Sequence, residues 1–127
     1  MNYPKELLYS ASHEWVQKLD DTTAKIGLTD FAQHSLGDLV FVNLPEVGDD
    51  VACEETFCDV ESVKAVSDVY CPVTGKVAAV NEELLDAPQK INEDPYGAWL
   101  AEISDISAFG ELMDAAAYEA FCAKEEG

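Results

Sequence analysis

The sequence predicts a mainly β chain with a few short helices and one longer helix near its C-terminus. Three observations carry this. The first two thirds are made of short runs rich in Val, Ile, Thr and aromatic residues, bounded by Gly, Pro and Asp. Residues 59–70, DVESVKAVSDVY, read almost alike in both directions, as an antiparallel hairpin does when like pairs with like. Past Ser104 the character changes, and Tyr118, Phe121 and Cys122 recur at helical spacing.

In chain order, His13–Leu19 alternates loosely, Asp20-Asp21 turns, and Thr22–Leu28 returns as the second strand of a hairpin. Thr29 or Asp30 caps a short helix through about Leu36, with Gly37 as its stop. Leu39–Val42 is a continuous apolar run, read as a strand buried on both faces, and Leu44–Gly48 breaks it. Val51–Cys53, Thr56–Val63 and Val66–Tyr70 follow as strands. Pro72 and a Thr74-Gly75 turn lead into Lys76–Val80. Residues 81–98 are irregular, apart from a helical turn at Glu82–Leu85, and Trp99–Ile103 is the last strand. Asp105 caps a turn through Leu112 and Asp114 caps a helix from Ala115 to about Lys124, giving a helical segment over about 105–124 that covers one sheet face. No linker or low-complexity tract divides residues 1–127, so one domain is expected.

Composition excludes several functions. Twenty-six acidic residues stand against seven lysines and no arginine, a net charge of 7 − 26 = −19. Such a surface repels nucleic acid and anionic lipid and suits partners with basic docking surfaces. No apolar run approaches the roughly twenty residues of a membrane span. The N-terminus lacks the pattern of a signal or transit peptide, so a cytoplasmic location is expected. Cys53, Cys58, Cys71 and Cys122 show no Cys-x-x-Cys spacing and read as free thiols, not as a disulfide or zinc site.

The mirrored stretch centres on Lys64-Ala65. It predicts the cross-strand pairs Val63–Val66, Ser62–Ser67, Glu61–Asp68 and Val60–Val69, and a slip in register would change every one. Glu61 opposite Asp68 sets like charges face to face. Lys-Ala also lacks the tolerance of positive φ that favours Asn-Gly or Asp-Gly in two-residue turns. Broken local rules mark functional sites. A lysine at a hairpin tip, over about 56–70, is open to a modifying enzyme, and the flanking carboxylates, Glu61 above all, help such an enzyme identify it.

Val60-Glu61-Ser62-Val63-Lys64-Ala65 resembles the lipoylation site of the glycine cleavage system H protein family. Tyr9–Val16, Ile26–Gln33, Leu36-Gly37-Asp38, Leu44–Gly48, Pro72–Val77, Asn81–Leu84, Pro95-Tyr96-Gly97, Trp99-Leu100 and Asp114–Glu119 match the family in order, across nearly the whole chain. The resemblance implies a barrel-sandwich hybrid, lipoyl-domain-like fold and lipoate in amide linkage to Lys64. It implies a carrier and not an enzyme. The aminomethyl group of glycine passes from the pyridoxal-phosphate glycine decarboxylase to the tetrahydrofolate-dependent aminomethyltransferase, and a flavin-dependent (FAD) dihydrolipoyl dehydrogenase reoxidises the dithiol. A lipoate ligase or a lipoyl/octanoyl transferase loads the lysine. Ser12, Glu14 and Asp68 match the family positions of a groove for the loaded arm; otherwise Glu14 and Asp68 belong to a solvated strand face. His34 is given no role, because the alignment falls on Ser35. Cys71 is either a redox partner of the dithiol or a small packed residue. A monomer is expected.

Three other readings compete. A biotinyl carrier uses the same hairpin-tip lysine, but flanks it with methionines where this chain has Val63 and Ala65. A lipoyl relay protein would pass its lipoate to 2-oxoacid dehydrogenases. A non-carrier module would leave Lys64 bare.

Overall fold

The computed structural model describes residues 2–126; Met1 and Gly127, the outer limits of the expected 1–127 unit, lie outside the described residues. Nine strands and four helices follow one another in the order β1 (Leu8–Tyr9), β2 (Glu14–Asp20), β3 (Thr23–Leu28), α1 (Asp30–Leu36), β4 (Leu39–Asn43), β5 (Asp50–Val51), β6 (Thr56–Ser62), β7 (Val66–Tyr70), β8 (Val73–Val80), α2 (Glu83–Asp86), α3 (Lys90–Glu93), β9 (Ala101–Phe109) and α4 (Ala115–Glu126). Two antiparallel sheets result, with orders β1-β2-β3-β9-β8-β5 and β4-β6-β7.

Local chemistry sets the boundaries. The Thr29 side chain accepts from the Ala32 N–H at the start of α1, and Gly37, at φ +82°, ends it by donating to the Gln33 carbonyl. Asp114 caps α4 through the Ala117 N–H at 2.8 Å. Three expectations are corrected. Leu39–Val42 is buried on one face only, because a bulge between Leu39 and Phe41 leaves Val40 and Phe41 exposed. Thr74-Gly75 is no turn but lies near the start of β8, paired to β9, where a Cβ on Gly75 would lie 2.6 Å from the Ser104 carbonyl oxygen. The helical segment over 105–124 starts only at Ala115. Residues 105–109 extend β9, which bulges opposite Gly75, and Asp105 takes φ +51° there.

The core has three parts. Val42, Cys58, Val60 and Val69 meet Leu84 and Ile91 between the small sheet and the short helices. Val16, Ile26, Val73, Val77 and Ile103 lie on the large sheet, and Phe57 packs against both groups. Tyr9, Trp15, Phe31 and Tyr118 anchor α4. A polar thread reinforces that anchor: Tyr118 Oη lies 2.7 Å from Thr29 Oγ1 and 2.8 Å from His13 Nδ1, and His13 Nε2 lies 2.7 Å from Glu125.

Candidate functional site

Lys64 stands at the tip of the β6–β7 hairpin. The turn is the four residues Ser62–Ala65, closed by the Ser62 N–H donating to the Ala65 carbonyl at 2.8 Å. Ser62 Oγ accepts from the N–H groups of both Lys64 and Ala65, each at 3.2 Å. No positive φ is needed at Val63 or Lys64, and neither has one. The serine supplies what a glycine would otherwise give.

This turn resets the register. The pairs are Glu61–Val66, Val60–Ser67, Asp59–Asp68 and Cys58–Val69, so each β7 residue faces a β6 residue two positions earlier than the mirror reading predicts. A slip of two keeps every side chain on its expected face. Val60 and Val69 are buried, while Glu61 and Asp68 point outward but are not opposite each other. Asp59 takes the place opposite Asp68, so a like-charge pair persists one step further from the tip.

The Lys64 ammonium donates to the Ser35 carbonyl at 3.0 Å, and its stem crosses Gly37, where a Cβ would lie 3.1 Å from Lys64 Cε. Among the described residues it makes no ion pair. An exposed amine held only by one carbonyl is open to acylation. The resulting amide keeps one N–H, which can still donate to Ser35. These features fit a lysine-linked lipoyl group.

The other candidate residues divide into two places. Glu14 is 1% exposed, and its carboxylate accepts from Ser10 Oγ at 2.7 Å, Ser12 Oγ at 2.5 Å and the Tyr70 N–H. Burial outweighs those bonds and pushes the acid up to about 7. In front of it lies a groove of about 410 Å³ lined by Ser10, Ser12, Glu54, Tyr70, Cys71 and Glu111, with the Glu14 carboxyl behind the two serines. The structure therefore brings Ser12 and Glu14 together. Asp68 and Glu61 lie apart from them on the outer face of the small sheet, with Asp68 two residues before Tyr70 on β7. Val66, Asp68 and Tyr70 mark a track from the tip to the groove, roughly 13 Å long at strand rise. Cys71 is fully buried and its thiol is pushed up to about 12, which suits the packed reading and not the redox one. All four cysteines are free thiols.

The sequence did not point to Ser10, Tyr70 or the Ser35 carbonyl. Ser10 had a signal in its spacing from Ser12 and Glu14. A backbone carbonyl and a backbone N–H have none.

A model of the family described as glycine cleavage H-protein matches residues 7–125. The chain belongs to the glycine cleavage H-protein family. It is 58% identical over 125 residues to the glycine cleavage system H protein of Lachnoclostridium phytofermentans, covering 98% of both chains. It is 56% identical over 118 residues to a probable glycine cleavage system H protein of Pyrococcus abyssi, covering 91% of this chain and 88% of the other. The crystal structure of a glycine cleavage system H protein from Mycobacterium marinum superposes with a TM-score of 0.87 at 38% identity, covering 98% of this chain and 99% of that one. The chain thus has the barrel-sandwich architecture that the resemblance implied. Membership in the family makes it a carrier subunit and not a catalyst. No helix among the described residues is long and apolar enough to cross a membrane.

Proposed function

We infer that this chain is the lipoyl carrier of a glycine cleavage system, taking the aminomethyl group of glycine from the decarboxylase to the aminomethyltransferase. The observation that carries the reading is the family match over residues 7–125, within which an exposed lysine sits on a hairpin tip. Lys64 is the attachment point. When bound there, lipoate supplies reversible dithiol chemistry and group carriage; the protein supplies presentation and docking. A tethered carrier works because a docked partner meets its cargo at an effective concentration of about millimolar. The partners are the pyridoxal-phosphate decarboxylase, the tetrahydrofolate-dependent transferase and the FAD-dependent dihydrolipoyl dehydrogenase. A lipoate ligase or a lipoyl/octanoyl transferase acts first, with Glu61 among the residues it reads. A cytoplasmic monomer suits this work.

The test is glycine–bicarbonate exchange and net glycine decarboxylation with purified partners. Lys64→Arg is expected to keep the wild-type melting temperature and lose both the lipoyl mass increment and the exchange. Exchange supported by Lys64→Arg would sink the reading.

Ser12 and Glu14 belong to the groove for the carried amine, and Asp68 lies on the track that leads to it. Glu14 holds a proton or faces a cation there, and Ser12 and Ser10 orient its carboxylate. Asp68 adds negative charge on the track between tip and groove. Methylammonium serves as a probe of this role: it should lower the titration midpoint of the Glu14 carboxyl seen by NMR. A midpoint that stays put in excess methylammonium removes Glu14 from the groove.

A further inference from the structure

None of the residues that line the groove before Glu14 lies on α4. One side of the lining is the loop Ser10–Ser12, and this loop is tightly bonded. The Ser10 N–H donates to the Glu14 carbonyl at 2.9 Å, the His13 N–H to the Ser10 carbonyl at 3.1 Å, and the Glu14 N–H to Ser10 Oγ at 3.0 Å. To close the loop, His13 takes φ +73°, a left-handed conformation that a residue with a Cβ rarely adopts. Closed in this way, the loop brings Ser10 Oγ and Ser12 Oγ onto the Glu14 carboxyl.

Both ends of the loop are gripped by one α4 side chain. Before the loop, the Tyr9 ring stacks on fully buried Tyr118, with centroids 4.6 Å apart and planes 7° apart. After it, His13 Nδ1 lies 2.8 Å from Tyr118 Oη. Thr29 reinforces this end: its hydroxyl lies 2.7 Å from the same Oη, and its N–H donates to the His13 carbonyl at 3.2 Å. The His13 ring also stacks on Phe31, and its Nε2 lies 2.7 Å from Glu125, so α4 engages both ring nitrogens. The far side of the groove is tied to the same place. Tyr9 and Met113 exchange N–H···O bonds of 2.9 and 2.7 Å, two residues past Glu111 of the lining. A helix that only covers a core needs apolar contacts. This one also aims a hydroxyl and a carboxylate at the residue beside Glu14.

We propose that Tyr118 and His13 are positioning residues for the groove, and that α4 is thereby the latch that keeps the two serines over the Glu14 carboxyl and water away from it. No α4 atom needs to touch the carried amine. The latch acts through the loop, and it rests on the reading of the groove as the seat of that amine. With the loop closed, the Glu14 carboxyl meets a cation among Ser10, Ser12 and the Tyr70 N–H. Glu54 and Glu111 are the other carboxylates on the lining, and the Cys58 and Cys71 thiols are the remaining titratable groups near it. With the loop loosened, water reaches the carboxyl and competes with the cation for it.

The experiment uses the full-length unmodified protein, with methylammonium as the probe, and follows the Glu14 carboxyl by NMR. Tyr118→Phe keeps the stacked ring and removes only the hydroxyl. His13→Asn tolerates the left-handed turn but removes the ring. In both, the Glu14 midpoint should fall from about 7 toward 4.5, by about one pH unit, because burial is the largest cause that raises it. The Kd of methylammonium at about pH 8.5, where Glu14 is ionised in every variant, should rise about tenfold. Glu125→Ala removes one exposed support, leaves the core intact, and should give a smaller fall in the same direction. Ile91→Val, in the core beneath the small sheet, controls for lost stability: its melting temperature should fall and its Glu14 midpoint stay at about 7. Wild-type midpoints in Tyr118→Phe, His13→Asn and Glu125→Ala overturn the proposal. So does a fall in Ile91→Val as large as theirs, which would make the midpoint a measure of stability alone. A wild type that ignores methylammonium sinks the groove reading instead, and the midpoints still decide the latch.

Discussion

Glu14 is where burial and chemistry oppose each other most directly. Its acid is raised from 4.5 to about 7, chiefly by desolvation. In the unfolded chain it ionises near 4.5, while in the fold it keeps its proton to about 7. The unfolded state thus binds fewer protons across that window, so this group's contribution to stability is full below about pH 4.5 and is lost as pH rises to about 7. The loss above pH 7 is on the order of 3 kcal/mol. Glu14→Gln removes the titration, and comparing it with wild type cancels the other carboxylates. The stability of Glu14→Gln relative to wild type should rise between pH 4.5 and 8 in urea titrations, by up to that amount; a pH-independent difference would show that Glu14 is not held as described. At this scale mirrored flanks, poor turn residues and scarce lysines draw attention to Lys64, and the family resemblance supplies the role proposed for it. The burial of Glu14 was not legible: it opens an alternating strand, where an acidic residue normally faces water. Only the return of β7, which sets the Tyr70 N–H over it, closes the site.

At the scale of elements, the hairpin shows what a sequence pattern fixes and what it leaves open. The mirror around Lys64 identified the two strands and which side chains face inward. It misplaced the pairing by two residues because the turn depends on one hydroxyl, which takes up two backbone N–H groups and lengthens the loop to four residues. Ser62→Ala should therefore cost about 1 kcal/mol in global stability. It should also speed hydrogen exchange at the Lys64 and Ala65 amides while those of Val60 and Val69 change no more than global stability requires. Equal acceleration throughout β6 and β7 would show that the hydroxyl does not act locally. The same limit explains the end of β9. Ser104-Asp105 resembles a helix cap, and nothing within that segment reveals that Gly75 on β8 leaves room for a bulge there. Helix α1, whose Thr29 cap and Gly37 stop are both local, was read correctly in full.

For the molecule as a whole, charge dominates. Of the seven lysines, Lys18 and Lys25 lie over the rings of Phe109 and Trp99, and Lys90 pairs with Glu83. Lys76 is 4.0 Å from Asp50, with both side chains more than half exposed, a pair worth little. Most of the 26 acidic side chains therefore repel one another across a small body, and acylation of Lys64 would take the net charge from −19 to −20. Salt then acts in opposite directions on two properties. The screening length falls from about 30 Å at 0.01 M to about 3 Å at 1 M. Folding should gain as repulsion is screened, with a melting temperature about 4 °C or more higher in 0.5 M NaCl than in 0.01 M for each kcal/mol relieved. Docking onto basic partner surfaces should weaken over the same range, seen as a rising KM for the carrier with each partner enzyme. Replacing NaCl by sucrose, which stabilises by exclusion without screening, should raise the melting temperature and leave KM alone. A melting temperature that falls with NaCl, or a KM indifferent to it, would mean that the carboxylates are balanced locally and that the acidic surface steers nothing.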